Sequence, residues 1–150
     1  MSFSVESPAF ERGQAIPPEH TCAGADVAPA LQWAEAPPAT RSFAIVMDDP
    51  DAPDGTFTHW LLWDLPAGTG QLARDAVQHA TVGRNDFDRL GYSGPCPPRG
   101  GGAHRYRFRV HALDVERLPL PEGSTRREFD DALRGRVLAT AELEARYERR

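Results

Sequence analysis

Residues 104–113, HRYRFRVHAL, alternate cleanly: His104, Tyr106, Phe108, Val110 and Ala112 fall on one side, Arg105, Arg107, Arg109 and His111 on the other. A period of two is the signature of a β-strand with one buried face, and the arginines read as its outward face. The run SFAIVM at 42–47 has no polar face, which predicts a short strand covered on both sides. It stops at DDPDAPDG, where Pro50, Pro53 and Gly55 break regular structure. FTHWLLWDL at 57–65 resumes as a strand closed by Pro66, and strict alternation would place His59, Leu61, Trp63 and Leu65 on one face. Shorter strands are expected near Phe3–Val5 and at 31–33.

Two segments need arbitration. Thr125 and Glu128 form a T-x-x-E capping box, with Phe129 and Leu133 as an apolar pair one turn apart. They predict a helix over 126–134, ended at Gly135. The tail AELEARYE, 141–148, has helix-forming composition but alternates apolar and polar residues. Periodicity outranks propensity, so this is a strand. Between the strands lies a long loop, 83–103, centred on GYSGPCPPRGGGA. Loops of this length in a small domain are usually functional or disordered, and its prolines favour function. No repeat or linker divides the chain.

Composition sharpens this picture. At 150 residues the chain is long enough for one domain, spanning 1–150, with its own core. Thirteen glycines and fourteen prolines are about half again the usual share, which suits short strands and shaped loops. All seventeen basic residues are arginine; without lysine there is no Schiff base, P-loop lysine or Ser–Lys pair. A net charge of −5 with no basic stripe argues against nucleic acid or an anionic membrane surface as partner. No apolar run is long enough to span a bilayer. The opening MSFSVESPAFERG lacks the pattern of a secretory leader. A soluble cytoplasmic protein with Cys22 and Cys96 reduced is therefore the expectation.

His59 follows the DDPDAPDG turn and His104 follows the Gly–Pro loop, each on the apolar side of its strand. Tyr106 shares the face of His104. If the two strands are neighbours, these side chains and a turn carboxylate, Asp49, converge on one cavity. Imidazole and phenol donors beside a carboxylate that orients a ring suit a small anion such as phosphate. The plainer reading of either histidine is a core residue bonded to backbone. A metal set of Asp49, His59 and His104 lacks any local ligand spacing. Hydrolysis lacks a nucleophile: Ser93 in GYSGP has no elbow spacing, and Cys96 reads better as a small buried residue than as a thiol partner of His104. Arg105 faces away from the cavity, and Asp51 is its expected carboxylate partner.

The motifs DDPDAP, HWLLWDLP and GYSGPCPPRGGGAHRYRFRVHALD, with TCAGADVAPALQW and VLATAELEARYER, resemble the phosphatidylethanolamine-binding protein family over nearly the whole chain. They are most similar to its small bacterial branch, described as Raf-kinase-inhibitor-like. The resemblance implies an all-β, mainly antiparallel fold: a large central sheet, a smaller second sheet and one or two short helices. It also implies an anion pocket at one end. Matched motif by motif, Asp49 opens D-P-D, His59 opens the HWL strand, Pro97 belongs to the proline wall, and His104 and Tyr106 lie in H-R-Y. Eukaryotic members carry a C-terminal helix at the pocket, for which this sequence has no counterpart before Arg150.

The resulting expectation is a non-enzymatic binding protein for phosphate, a phosphoryl headgroup or a carboxylate. It needs no cofactor or metal, and it has a protein partner to regulate. Its rivals are a kinase or protease inhibitor or scaffold, and a small-ester or phosphoester hydrolase using the same His and Asp residues. The bacterial branch also makes a homodimer an expectation, through resemblance alone.

Overall fold

The structure, a computed structural model, describes residues 2–76 and 80–150. Strands β1 (Ser4–Glu6), β2 (Leu31–Ala34) and β5 (Gln71–Leu72) form a small antiparallel sheet in the order β1-β2-β5. Strands β3 (Ser42–Asp49), β4 (Phe57–Pro66), β6 (Thr81–Val82), β7 (His104–Leu113) and β8 (Val137–Tyr147) form the large sheet, in the order β6-β4-β3-β7-β8. Every strand pair in both sheets is antiparallel. Among the described residues, the helical segments are a 3₁₀ turn at Pro18–His20 and one helix, α1 (Arg126–Leu133). The all-β architecture expected from the sequence is what the chain adopts.

Each prediction from alternation can be traced to packing. All eight residues of β3 are buried because the strand lies between two apolar layers. Phe43, Ile45 and Met47 pack towards the small sheet with Val5, Leu31 and Trp33, while Ala44 and Val46 pack towards Phe129 and Leu133 of α1. β7 alternates as expected, and β8 pairs with it from His104↔Tyr147 to Leu113↔Val137. The tail is thus a strand, longer than predicted. Helix α1 carries both halves of the capping box: Glu128 N–H donates to Thr125 Oγ1, and Thr125 N–H donates to Glu128 Oε1.

The parity of β4 departs from expectation. Its pairing with β3 skips a residue twice, at His59 and again near Asp64, where Ile45↔Leu62 is followed by Phe43↔Leu65. These are β-bulges, and each shifts later side chains to the opposite face. Asp64 takes a left-handed conformation (φ 62°), a geometry that Asp tolerates better than most residues. In consequence Leu61 and Trp63 face α1, whereas Trp60, Leu62 and Leu65 face the small sheet. His59 points the way of Trp60 and Leu62, not of Leu61 and Trp63.

The far side of β7 is also less open than its arginines suggest. Arg107 and Arg109 are half-buried beneath α1. Arg107 Nε donates to Asp48 Oδ1 at 2.8 Å, and Arg126 of α1 donates to Asp48 Oδ2 at 3.0 Å. A buried carboxylate held by two guanidiniums pins the helix to the sheet.

Candidate functional site

The end of β3, the start of β4 and the start of β7, the three interior strands, meet at one end of the large sheet. Proline at positions 50 and 53 ends β3 at Asp49. Asp49 then serves two neighbours: Oδ1 accepts the Asp51 N–H at 2.8 Å, closing the turn, and Oδ2 accepts from His104 Nδ1 at 2.6 Å. Asp49 and His104 are 3% and 7% exposed. A carboxylate can only accept, so Nδ1 of His104 carries the hydrogen and Nε2 is left for another partner.

His59 is placed by backbone rather than by a side chain. Its bulged position pairs it with the long loop, where Ser93 N–H donates to the His59 carbonyl at 3.1 Å and His59 Nδ1 donates to the Ser93 carbonyl at 2.7 Å. The loop itself is held rigidly. Asn85 donates to the Ser93 hydroxyl at 3.0 Å, Gly94 N–H donates to Asp26 at 2.8 Å, and Tyr92 donates to the His20 carbonyl at 2.6 Å. Burial pushes the Tyr92 phenol well up, which keeps it a donor. Only glycine fits at Gly94, because a Cβ there would overlap the His20 carbonyl oxygen.

These elements enclose a cavity of about 510 Å³. Asp49, His59, Pro97, His104 and Tyr106 all line it, as do the aromatic rings of Phe57 and Phe87. Tyr106 sits between the two imidazoles, with ring centres 5.5 Å from His59 and 6.4 Å from His104. Burial, with Asp49 and Asp51 nearby, raises its pKa far above the ordinary phenol value, so Tyr106 stays protonated and able to donate. Burial lowers the pKa of His59, against the pull of the Ser93 carbonyl and of Asp49, Asp26 and Asp86. Neutral His59 with its hydrogen on Nδ1 presents a lone pair at Nε2. In the sequence Ser93 is weighed only for its hydroxyl; its role as anchor, like the flanking aromatics, is not foreseen, because a main-chain carbonyl is announced by no residue type.

Outside the cavity, Asp51 grips Arg105 through Nε at 3.0 Å, NH2 at 2.9 Å and the Arg105 N–H at 2.8 Å. These hydrogen bonds hold the Asp51 pKa down at about 2. This is the division of labour expected between Asp49 and Asp51. Among the described residues, no three metal-ligating side chains are placed to hold one ion, and both histidines of the cavity already commit Nδ1 to protein oxygens.

The cysteines depart from expectation. Cys22 and Cys96 form a disulfide across 74 residues of sequence, with Cα atoms 5.4 Å apart. Cys96 borders the cavity beside Pro97, but as a disulfide it is neither a buried thiol nor a nucleophile. Both cysteines are thus oxidised, against the expectation of reduced thiols. No helix among the described residues is long and apolar enough to cross a membrane.

A second, polar cleft of about 760 Å³ lies on the α1 side of the sheet, lined by Thr58, Arg107, Arg126 and Asp130 among others. Of its arginines, Arg107 and Arg126 are engaged by Asp48 and Asp130, and Arg134 pairs with Asp131.

Comparison with known proteins identifies the family and the fold. The family model described as phosphatidylethanolamine-binding protein matches residues 6–148. A UPF0098 protein of Aquifex aeolicus is 47% identical over 152 residues, covering 98% of this chain and 89% of the relative. The crystal structure of Escherichia coli YbcL, described as a member of the mammalian PEBP family, superposes with a TM-score of 0.95 at 34% identity over 100% of both chains. CT736 of Chlamydia trachomatis, described as a PEBP homolog, gives 0.93 at 35% identity over 99% of each chain. The chain belongs to the phosphatidylethanolamine-binding protein family.

Proposed function

We propose that this protein binds a small phosphoryl or carboxylate group in the Asp49–His104 cavity, without turning it over. The observation that carries the reading is the 2.6 Å contact between His104 Nδ1 and Asp49 Oδ2 inside a cavity shared with Tyr106. When His104 takes up a proton, Nε2 becomes a cationic donor. Asp49 holds the ring in place and stabilises that charge, and the Tyr106 hydroxyl supplies a second donor.

Two features favour binding over catalysis. The sulfur of Cys96 is locked in a disulfide, and the Ser93 hydroxyl is buried and bonded to Asn85, so neither sequence-level nucleophile is poised. The apolar flank of Phe57, Phe87 and Pro97 would take whatever carries the anion.

Calorimetric titration with phosphate, phosphoethanolamine and ethanolamine, in wild type and His104→Ala, tests the reading. The two phosphoryl compounds should bind wild type, with ethanolamine silent, and binding should fall at least about tenfold in the variant. Absence of phosphoryl binding by the folded wild type would overturn it.

A further inference from the structure

The two imidazoles of the cavity are not equivalent. His104 shares its Nδ1 hydrogen with a carboxylate, so its ring can take a second proton and donate from Nε2. His59 shares its Nδ1 hydrogen with the uncharged carbonyl of Ser93, inside a clasp of Phe57, Phe87 and Tyr106 with ring centres 5.0, 5.6 and 5.5 Å away. An imidazolium there would be poorly solvated. The carboxylates acting on it, Asp49, Asp26 and Asp86, do not outweigh the burial. Its Nε2 is not sealed off: the buried side-chain nitrogens left without a partner, among the described residues, are those of His20 and Trp33. His59 lines the cavity, so this lone pair opens onto it.

The cavity thus offers one acceptor, His59 Nε2, opposite donors at His104 and Tyr106. An anion that fits must itself give one hydrogen while accepting the others. We propose that the site selects the singly protonated monoanion of a phosphate monoester or of inorganic phosphate, with the P–OH donating to His59 and the charged oxygens facing His104 and Tyr106. This deepens the phosphoryl-binding reading and rests on it. The second pKa of a phosphoryl group is near ~6, so this ionic form is abundant just below neutral pH. Sulfate has no hydrogen to give, nor does a phosphodiester, and either would set an oxygen lone pair against that of His59. Sites built to pair a ligand hydrogen discriminate strongly against analogues that lack it. An intact phospholipid headgroup is a diester, so the site favours free phosphomonoesters over lipid.

The test is calorimetry at pH 6 with methyl phosphate, dimethyl phosphate and sulfate. Phosphoethanolamine and glycerophosphoethanolamine form a second pair that separates a free monoester from a lipid-like diester. Methyl phosphate should bind at least about tenfold more tightly than dimethyl phosphate or sulfate, and phosphoethanolamine should outbind its glycerol diester. Equal affinities would overturn the selectivity yet leave the anion pocket standing; no binding by any phosphoryl compound would overturn both. In His59→Gln, checked for folding by circular dichroism, the side-chain amide can donate where Nε2 accepted, and sulfate should gain until the preference nearly vanishes. Independently, nitrogen-15 spectra of wild type should show His59 Nε2 without a hydrogen at pH 7. A preference retained in His59→Gln, or a protonated Nε2, would overturn the assignment.

Discussion

Asp48 and Asp49 are consecutive on β3, and their carboxylates serve opposite faces of the large sheet: Asp48 binds Arg107 and Arg126 beneath α1, while Asp49 binds His104 in the cavity. Alternation along the strand sends one charge beneath the helix and the other into the cavity. Asp48→Asn leaves Arg107 and Arg126 short of a counter-charge at a 1% exposed position and should cost about 3–5 kcal/mol, read from urea denaturation. Asp49→Asn should keep the fold but weaken phosphate binding by about tenfold or more. Asp51→Asn, outside the cavity, should leave phosphate affinity unchanged; if it abolished binding while Asp49→Asn did not, the two roles would be reversed.

His111 predicts an acid-side loss of stability. Burial, with Arg109 and Arg126 adding to it and Asp130 opposing, lowers its pKa from 6.5 to about 4. The folded state therefore binds fewer protons than the unfolded state between these values, and stability rises with pH across that window. It is complete above pH 6.5 and is lost as pH falls towards 4, by up to about 3 kcal/mol. Thermal denaturation of wild type and His111→Gln from pH 4 to 7.5 checks this: the wild-type slope should flatten in the variant.

The disulfide ties the 3₁₀ region to the cavity's proline wall. A link closing 74 residues of chain is worth about 2–4 kcal/mol, largely through restriction of the unfolded state. Cys22→Ser and treatment of wild type with reductant should lower Tm to a similar degree. A Tm unmoved by reductant, with thiols confirmed free by labelling, would show that the link contributes nothing to stability.

Gly94 couples the loop to His59. Gly94→Ala must push the chain away from the His20 carbonyl, displacing the Ser93 carbonyl that orients the imidazole. The expected result is both a lower Tm and weaker phosphate binding, whereas Gly68→Ala, where no atom lies within 4 Å of the added carbon and the backbone is not left-handed, should spare binding.

Much of this arrangement was legible in the sequence. The alternation of His104 to Leu113 placed His104 and Tyr106 on the buried face, and Thr125 with Glu128 located the helix start. Asp49 and Asp51 divided their work as expected. His59 shares its face with Trp60 and Leu62 for a reason alternation could not supply: a bulge at His59 resets the parity of β4, and a second near the left-handed Asp64 resets it again before Leu65. Its partner, the Ser93 carbonyl, is set by loop geometry. The Cys22–Cys96 link depends on long-range approach, which spacing alone does not encode. Asp48 stood beside Asp49 in an acidic turn motif and gave no sign that Arg126, 78 positions away, would fold back onto it.

The most direct measurement is a phosphate titration followed through the histidine ring resonances. Saturable shifts should appear at His59 and His104, while His20, bonded to the Val27 carbonyl, and His111, on the opposite side of the sheet, stay still and serve as internal controls. Unmoved His59 and His104, or equal movement at all four, would contradict a phosphoryl site at the Asp49–His104 cavity.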